Sequence, residues 1–99
     1  MRRDTVSTET RDATRALCRT LNQRLRARTW ESVRDGLARR RDVQRIHRDQ
    51  VGNDIVDYYD VDGLVICYDH PTDTVYPAHD CSAIPEEVYN VLCPPRRDD

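Results

Sequence analysis

Residues 54–80 read "DIVDYYDVDGLVICYDHPTDTVYPAHD". Three runs of β-branched and aromatic residues alternate here with turn formers, the pattern of a three-stranded antiparallel meander. Asp62-Gly63 is a two-residue hairpin connection. The type I′ turn that such a pair favours sets Val61 opposite Leu64, Tyr59 opposite Ile66 and Tyr58 opposite Cys67. "DHPTD" at 69–73 makes the next, longer turn, and Pro77, lacking an N–H, places the third strand at an edge. Strands are therefore expected over 54–61, 64–69 and 74–80, with Leu64 to Tyr68 central.

Alternation puts Tyr59, Val61, Leu64, Ile66 and Val75 on one face of this meander. Val56, Tyr58, Val65, Cys67, Tyr76 and Ala78 fall on the other. A sheet that is apolar on both faces needs two covers. "SAIPEEVYNVL" supplies one as a helix over 83–92, starting near Ser82, with Ile84, Val88, Val91 and Leu92 inward. The other comes from the N-terminal half. In "STETRDATRALCRTLNQRLRAR", Ser7 or Thr8 can cap a helix over 7–28 on which Leu17, Leu21 and Leu25 recur every fourth residue. "TWESVRDGLARR" restarts the pattern from Thr29, with Trp30, Val33 and Leu37 on one stripe of a helix over 30–41. Trp30 heads that stripe and is read as core. Val43 and Ile46 fall off it, so Asp42 is expected to cap a short third helix over 43–50 that stops at Gly52. The fold class is α+β: one small domain spanning 1–99, with frayed tails at 1–6 and 94–99.

The charge is as polarised as the fold. Residues 1–52 hold fourteen Arg against seven acids and residues 53–99 two against eleven, so a net charge of −2 conceals halves of +7 and −9. Such asymmetry points to charged partners, unless the halves neutralise each other within the fold. All sixteen basic residues other than His are Arg, and Asp outnumbers Glu fourteen to four. That bias resembles haloarchaeal or other high-GC coding, a compositional habit that bears on solvent more than on activity. Val, Ile and Leu total twenty and Phe is absent, so the core is small and help from a partner or a second copy is expected. No stretch approaches the roughly 20 apolar residues of a membrane span, and no apolar run follows "MRRDTVSTET". The expectation is a soluble, cytoplasmic protein without membrane contact, free or as part of a viral particle, whose four Cys are thiols.

Chemistry-bearing motifs are sparse. Cys67-x2-His70 and His79-x-Cys81 would lie on adjoining strands, but the expected register sets His79 opposite Leu64, roughly 10 Å along the strand from Cys67. Zinc ligands must converge on one ion, so no metal is expected. Asp62 and Asp69 are explained by turns, and Asp57 and Asp60 by polar strand positions. Glycines stand only at 36, 52 and 63, too few for a phosphate loop. Neither an enzyme nor a cofactor is expected.

Binding remains. At about 100° per residue, Arg11, Arg15, Arg19 and Arg26 fall within about 80° of one another on the first helix. Arg39, Arg40, Arg41, Arg45 and Arg48 extend the basic set, and an unbroken second helix would align Arg34, Arg41, Arg45 and Arg48. The favoured reading is a small non-enzymatic binding or structural subunit. Its basic helical face meets one partner, and its acidic sheet, through Tyr58, Val65, Cys67 and Tyr76, meets another protein or a second copy. The alternative is a nucleic-acid-binding regulator. Three helices followed by a hairpin resemble a winged helix in order of elements over residues 7–69, with Asp42 to Gln50 as the recognition element. The would-be wing "DYYDVDG" is acidic, however, where a wing near phosphates is usually basic.

Overall fold

The structure, a computed structural model, describes residues 6–81 and 83–93. Two helices come first, α1 (Thr8–Leu25) and α2 (Trp30–Ala38). Ser7 caps α1 by accepting the Thr10 N–H at 3.2 Å, and Thr29 caps α2 by accepting that of Ser32 at 3.3 Å. Each cap satisfies one of the N–H groups that a helix start leaves without a partner.

Four antiparallel strands follow in sequence order across one sheet: β1 (Val43–Val51), β2 (Asp54–Val61), β3 (Leu64–Asp69) and β4 (Thr74–Pro77). The β2–β3 register pairs Val61 with Leu64, Tyr59 with Ile66 and Tyr58 with Cys67, as the sequence predicts. Asp62 and Gly63 both take positive φ, 50° and 87°, which a type I′ turn demands. The Asp62 φ is tolerated because a short polar side chain costs least there.

The expected third helix over 43–50 is a strand. β1 lies along the whole of β2, Val43 opposite Val61 and Val51 opposite Asp54, with a β-bulge where the register shifts between Arg45 and His47. Its apolar residues are too few for a helical face, and the bulge upsets the alternation that marks a strand. Gly52 is therefore no helix stop but the first residue of a two-residue hairpin connection, with φ 61°. Asp42 caps no helix either. It exchanges hydrogen bonds with Asp62, its N–H donating to the Asp62 carboxylate at 3.2 Å and its carbonyl accepting the Asp62 N–H at 3.1 Å. With four strands in place of three, and two helices before them, the winged-helix order and its recognition element over Asp42 to Gln50 are both lost.

The two faces are covered as their apolar character requires. On the first, Leu21, Trp30, Val33 and Leu37 close over Tyr59, Val61, Ile66, Tyr68 and Val75. Trp30 stacks on Tyr68 with ring centroids 4.5 Å apart and meets Tyr59 edge-on at 5.4 Å. On the second, Val88 of α3 (Glu86–Leu92) packs on Tyr58, Val65, Cys67 and Ala78, with Ile84 and Leu92 beside them. Val91, expected inward, is exposed. The third strand of the meander ends at Pro77, not 80, because Ala78–Asp80 wind into a 3-10 turn. α3 also starts later than 83, with Pro85 at its N-cap, since a residue preceding proline is held away from helical geometry. Ser82 and the tail positions 1–5 and 94–99 lie outside the described residues. Val6, assigned to a tail, is described and half-buried.

Leu21 has no exposed surface and sits mid-stripe on α1. Leu21→Ala is expected to lower the unfolding free energy by about 2–5 kcal/mol, through lost transfer energy and the cavity left behind. Denaturant titration reads this directly, and an unchanged midpoint would refute the packing.

Candidate functional site

α2 folds back along α1, and a groove of about 550 Å³ runs between them, lined by Leu17, Leu21 and Leu37, by Thr20, Ala27 and Gly36, and by four arginines. Arg24 and Arg28 come from the end of α1 and the turn after it, and Arg40 and Arg41 from the turn after α2. The latter pair is fixed by its backbone: both N–H groups donate to the Leu37 carbonyl at 3.0 Å. None of the four guanidinium groups has an ion pair or side-chain hydrogen bond among the described residues. A cleft walled by one sign of charge over an apolar floor focuses its field and concentrates anions.

The expected basic stripe is dispersed. Arg11 is half-buried and its Nε donates to the Val6 carbonyl at 3.2 Å. Arg15 lies between Asp12 at 3.9 Å and Asp80 at 3.6 Å, so it is partly neutralised. Arg19 and Arg26 are exposed on the side of α1 away from the groove, and Arg39 is exposed at the α2 C-cap. Only Arg40 and Arg41 of the expected set reach the groove. The basic stripe expected from the sequence does not include Arg24 and Arg28, although Arg24 follows Leu21 by three and Leu17 by seven, which sets it beside the leucine stripe. Arg45 lines a separate hollow of about 390 Å³ with Arg34, Asp35, Ala38, Val43 and Tyr59.

The expected sheet interface is turned inward. Tyr58, Val65 and Cys67 are buried and Tyr76 half-buried in the second core layer, packed with the chain's own Ala78, Ile84, Val88 and Leu92. They share a cluster with Val88 of α3, because a second apolar face cannot be left in water.

The densest polar cluster lies on the first face, beyond the cover of α2. Asp57, 1 % exposed, accepts the Arg48 Nε at 2.7 Å and Nη2 at 3.0 Å, and its Oδ2 also meets His70 Nε2 at 2.8 Å. The His70 ring lies edge-on to Tyr68 at 4.7 Å, and the Tyr68 hydroxyl donates to Asp73. Burial pushes the Asp57 pKa up, but the hydrogen bonds from Arg48 and His70 outweigh it and hold it below the ordinary value. A carboxylate with both oxygens so engaged is a weak proton acceptor. Its chemistry is that of an anchor between β1, β2 and the turn after β3.

Elsewhere, His79 lies off the expected register because the strand ends at Pro77. Its side chain is 3 % exposed, and burial lowers its pKa. Cys67 meets not His79 but Cys81, their sulfurs 3.3 Å apart. No three His, Cys, Asp or Glu side chains among the described residues gather where one metal ion could be held. No described helix is long and apolar enough to cross a membrane. The chain matches no protein-family model, no curated protein and no solved structure.

Because the Asp57 pKa is depressed in the fold, its contribution to stability is present above the ordinary carboxylate value and is lost as pH falls through the folded one. Asp57→Asn is expected to flatten that acid limb and, at neutral pH, to cost about 1–3 kcal/mol in lost charge-assisted hydrogen bonds. Urea unfolding between pH 2 and 7 measures both, and an identical acid limb in the variant would remove Asp57 as its source.

Proposed function

We propose that this chain is a non-enzymatic binding subunit that holds an acidic polypeptide segment in the groove between α1 and α2. The observation that carries this reading is the set of four arginines, Arg24, Arg28, Arg40 and Arg41, gathered on an apolar floor without counter-charges among the described residues. Guanidinium groups take carboxylates in a planar two-point grip and desolvate more readily than an ammonium. The half-buried Leu17 and the exposed Ala27 between these arginines favour a ligand that brings apolar side chains between its carboxylates. A polypeptide does so, whereas a duplex presents a continuous row of phosphates. A second copy of the chain has the right chemistry too, since its C-terminal half carries −9. Head-to-tail docking of that kind closes into a ring or runs on as a chain.

The test is fluorescence anisotropy of the full chain with a labelled peptide of alternating Glu and Leu, against labelled duplex DNA, at low and moderate salt. Binding of the peptide that persists at moderate salt is expected. Arg24→Glu with Arg40→Glu should weaken it by at least about tenfold. Arg26→Glu, on the far side of α1, should leave it within about twofold. Light scattering of the chain alone, repeated on the double variant, reads whether a second copy can be the acidic ligand. Preferential, steeply salt-dependent duplex binding that the double variant loses would overturn the acidic-polypeptide reading in favour of nucleic acid.

A further inference from the structure

β3 carries Cys67 into the second core layer, and the 3-10 turn after β4 swings Cys81 back onto it. The two sulfurs lie 3.3 Å apart, although thirteen residues separate them in the chain. Their exposures differ. Cys67 is fully buried, with its thiol also directed at the Tyr76 carbonyl at 3.4 Å, whereas Cys81 is half-buried and reachable from solvent. The other two cysteines, Cys18 and Cys93, are both buried.

We infer that Cys67 and Cys81 form a dithiol that a hydroperoxide oxidises to an intramolecular disulfide, with Cys81 as the attacking sulfur and Cys67 as the resolving one. The Cys81 thiolate attacks the terminal peroxide oxygen. The O–O bond breaks, the leaving oxygen takes a proton, and Cys81 becomes a sulfenic acid. The Cys67 sulfur then attacks the Cys81 sulfur, the S–O bond breaks and water leaves with the Cys67 proton. Two thiols have given two electrons to one peroxide.

The division of labour has a physical basis besides exposure. Hydrogen bonding from the Cys67 thiol holds the Cys81 pKa below its ordinary value, the Tyr58 hydroxyl adds to this, and burial opposes it without prevailing. The Cys67 pKa moves up, through that same contact and through burial. Reactivity follows thiolate character and access, and both favour Cys81. By contrast, burial and the nearby Asp80 carboxylate push the Cys18 thiol up to about 12.

The experiment treats the full chain with equimolar hydrogen peroxide, blocks residual thiols, digests at Asp and Glu residues and maps linked peptides without reductant. Cleavage at Asp69 and Asp80 separates Cys67 from Cys81, and cleavage at Glu86 and Glu87 separates Cys81 from Cys93. A Cys67–Cys81 link that dithiothreitol reverses is expected, forming at least about tenfold faster in the folded chain than in urea, because proximity replaces a chance encounter. In Cys67→Ser, Cys81 should stop at a sulfenic acid that dimedone traps. A wild-type chain that links Cys81 to Cys18 or Cys93, accumulates higher oxides at Cys81 without a link, or forms the link no faster when folded would overturn the inference.

Discussion

Adjacent tyrosines of β2, Tyr58 and Tyr59, point to opposite faces of the sheet, and both are buried. That alternation continues through β3, where Val65 and Cys67 face one way and Ile66 and Tyr68 the other. An antiparallel sheet usually keeps one wet face, so an apolar pair of faces forces the chain to provide two covers. The elements outside the sheet answer this demand. The α1–α2 hairpin must close on one side, the segment after β4 must turn under the other, and the surface left for function is the outside of those covers.

Much of this was legible because it depends on local chemistry. Asp62-Gly63 fixed the β2–β3 register, and the leucine spacing of α1 identified its buried stripe. β1 was not legible by the same means. It is an edge strand with only Val43, Ile46 and Val51 as apolar residues, and the bulge before His47 interrupts its alternation. Gly52-Asn53 did carry a hairpin signal of the Gly-Asn kind, but Gly52 serves equally as a helix terminator, and the neighbouring Arg residues suit a helix. Pairing with β2 along its whole length decided the matter, and such pairing is non-local. The groove was half legible. Arg40 and Arg41 stood out as a run, but Arg24 and Arg28 join them only because α2 doubles back along α1, and no periodicity within one helix reveals that.

The charge polarity of the sequence survives folding only in part. Among the described residues, three pairs of a basic side chain with a carboxylate cross between the halves, Arg15–Asp80, His47–Glu87 and Arg48–Asp57, and only the last has a fully buried member. Exposed pairs of the first two kinds contribute little. Several acids of the second half are held by their own backbone work: Asp60 accepts the Gly63 N–H at 2.9 Å, and Asp62 accepts that of Asp42. Neutralisation inside the fold therefore does not reach the groove, which is the physical reason for placing binding there rather than on the stripe of Arg11 and Arg15.

The two covers are also unequal in strength. α1 has eighteen residues and a capped start, and Asn22 reinforces it with a pair of hydrogen bonds to the Val75 backbone at 2.7 and 2.8 Å. α3 has seven residues and no side-chain cap; Glu86 and Glu87 favour its first turn only through the helix dipole. A helix that short does not persist in water without packing, so it depends on Val88 seated over Tyr58 and Val65. Cys81 lies on the stretch that leads from the sheet into this weaker cover. A covalent link from there to β3 would shorten the free path of the chain between sheet and helix, and so would act where the fold has the least cohesion of its own.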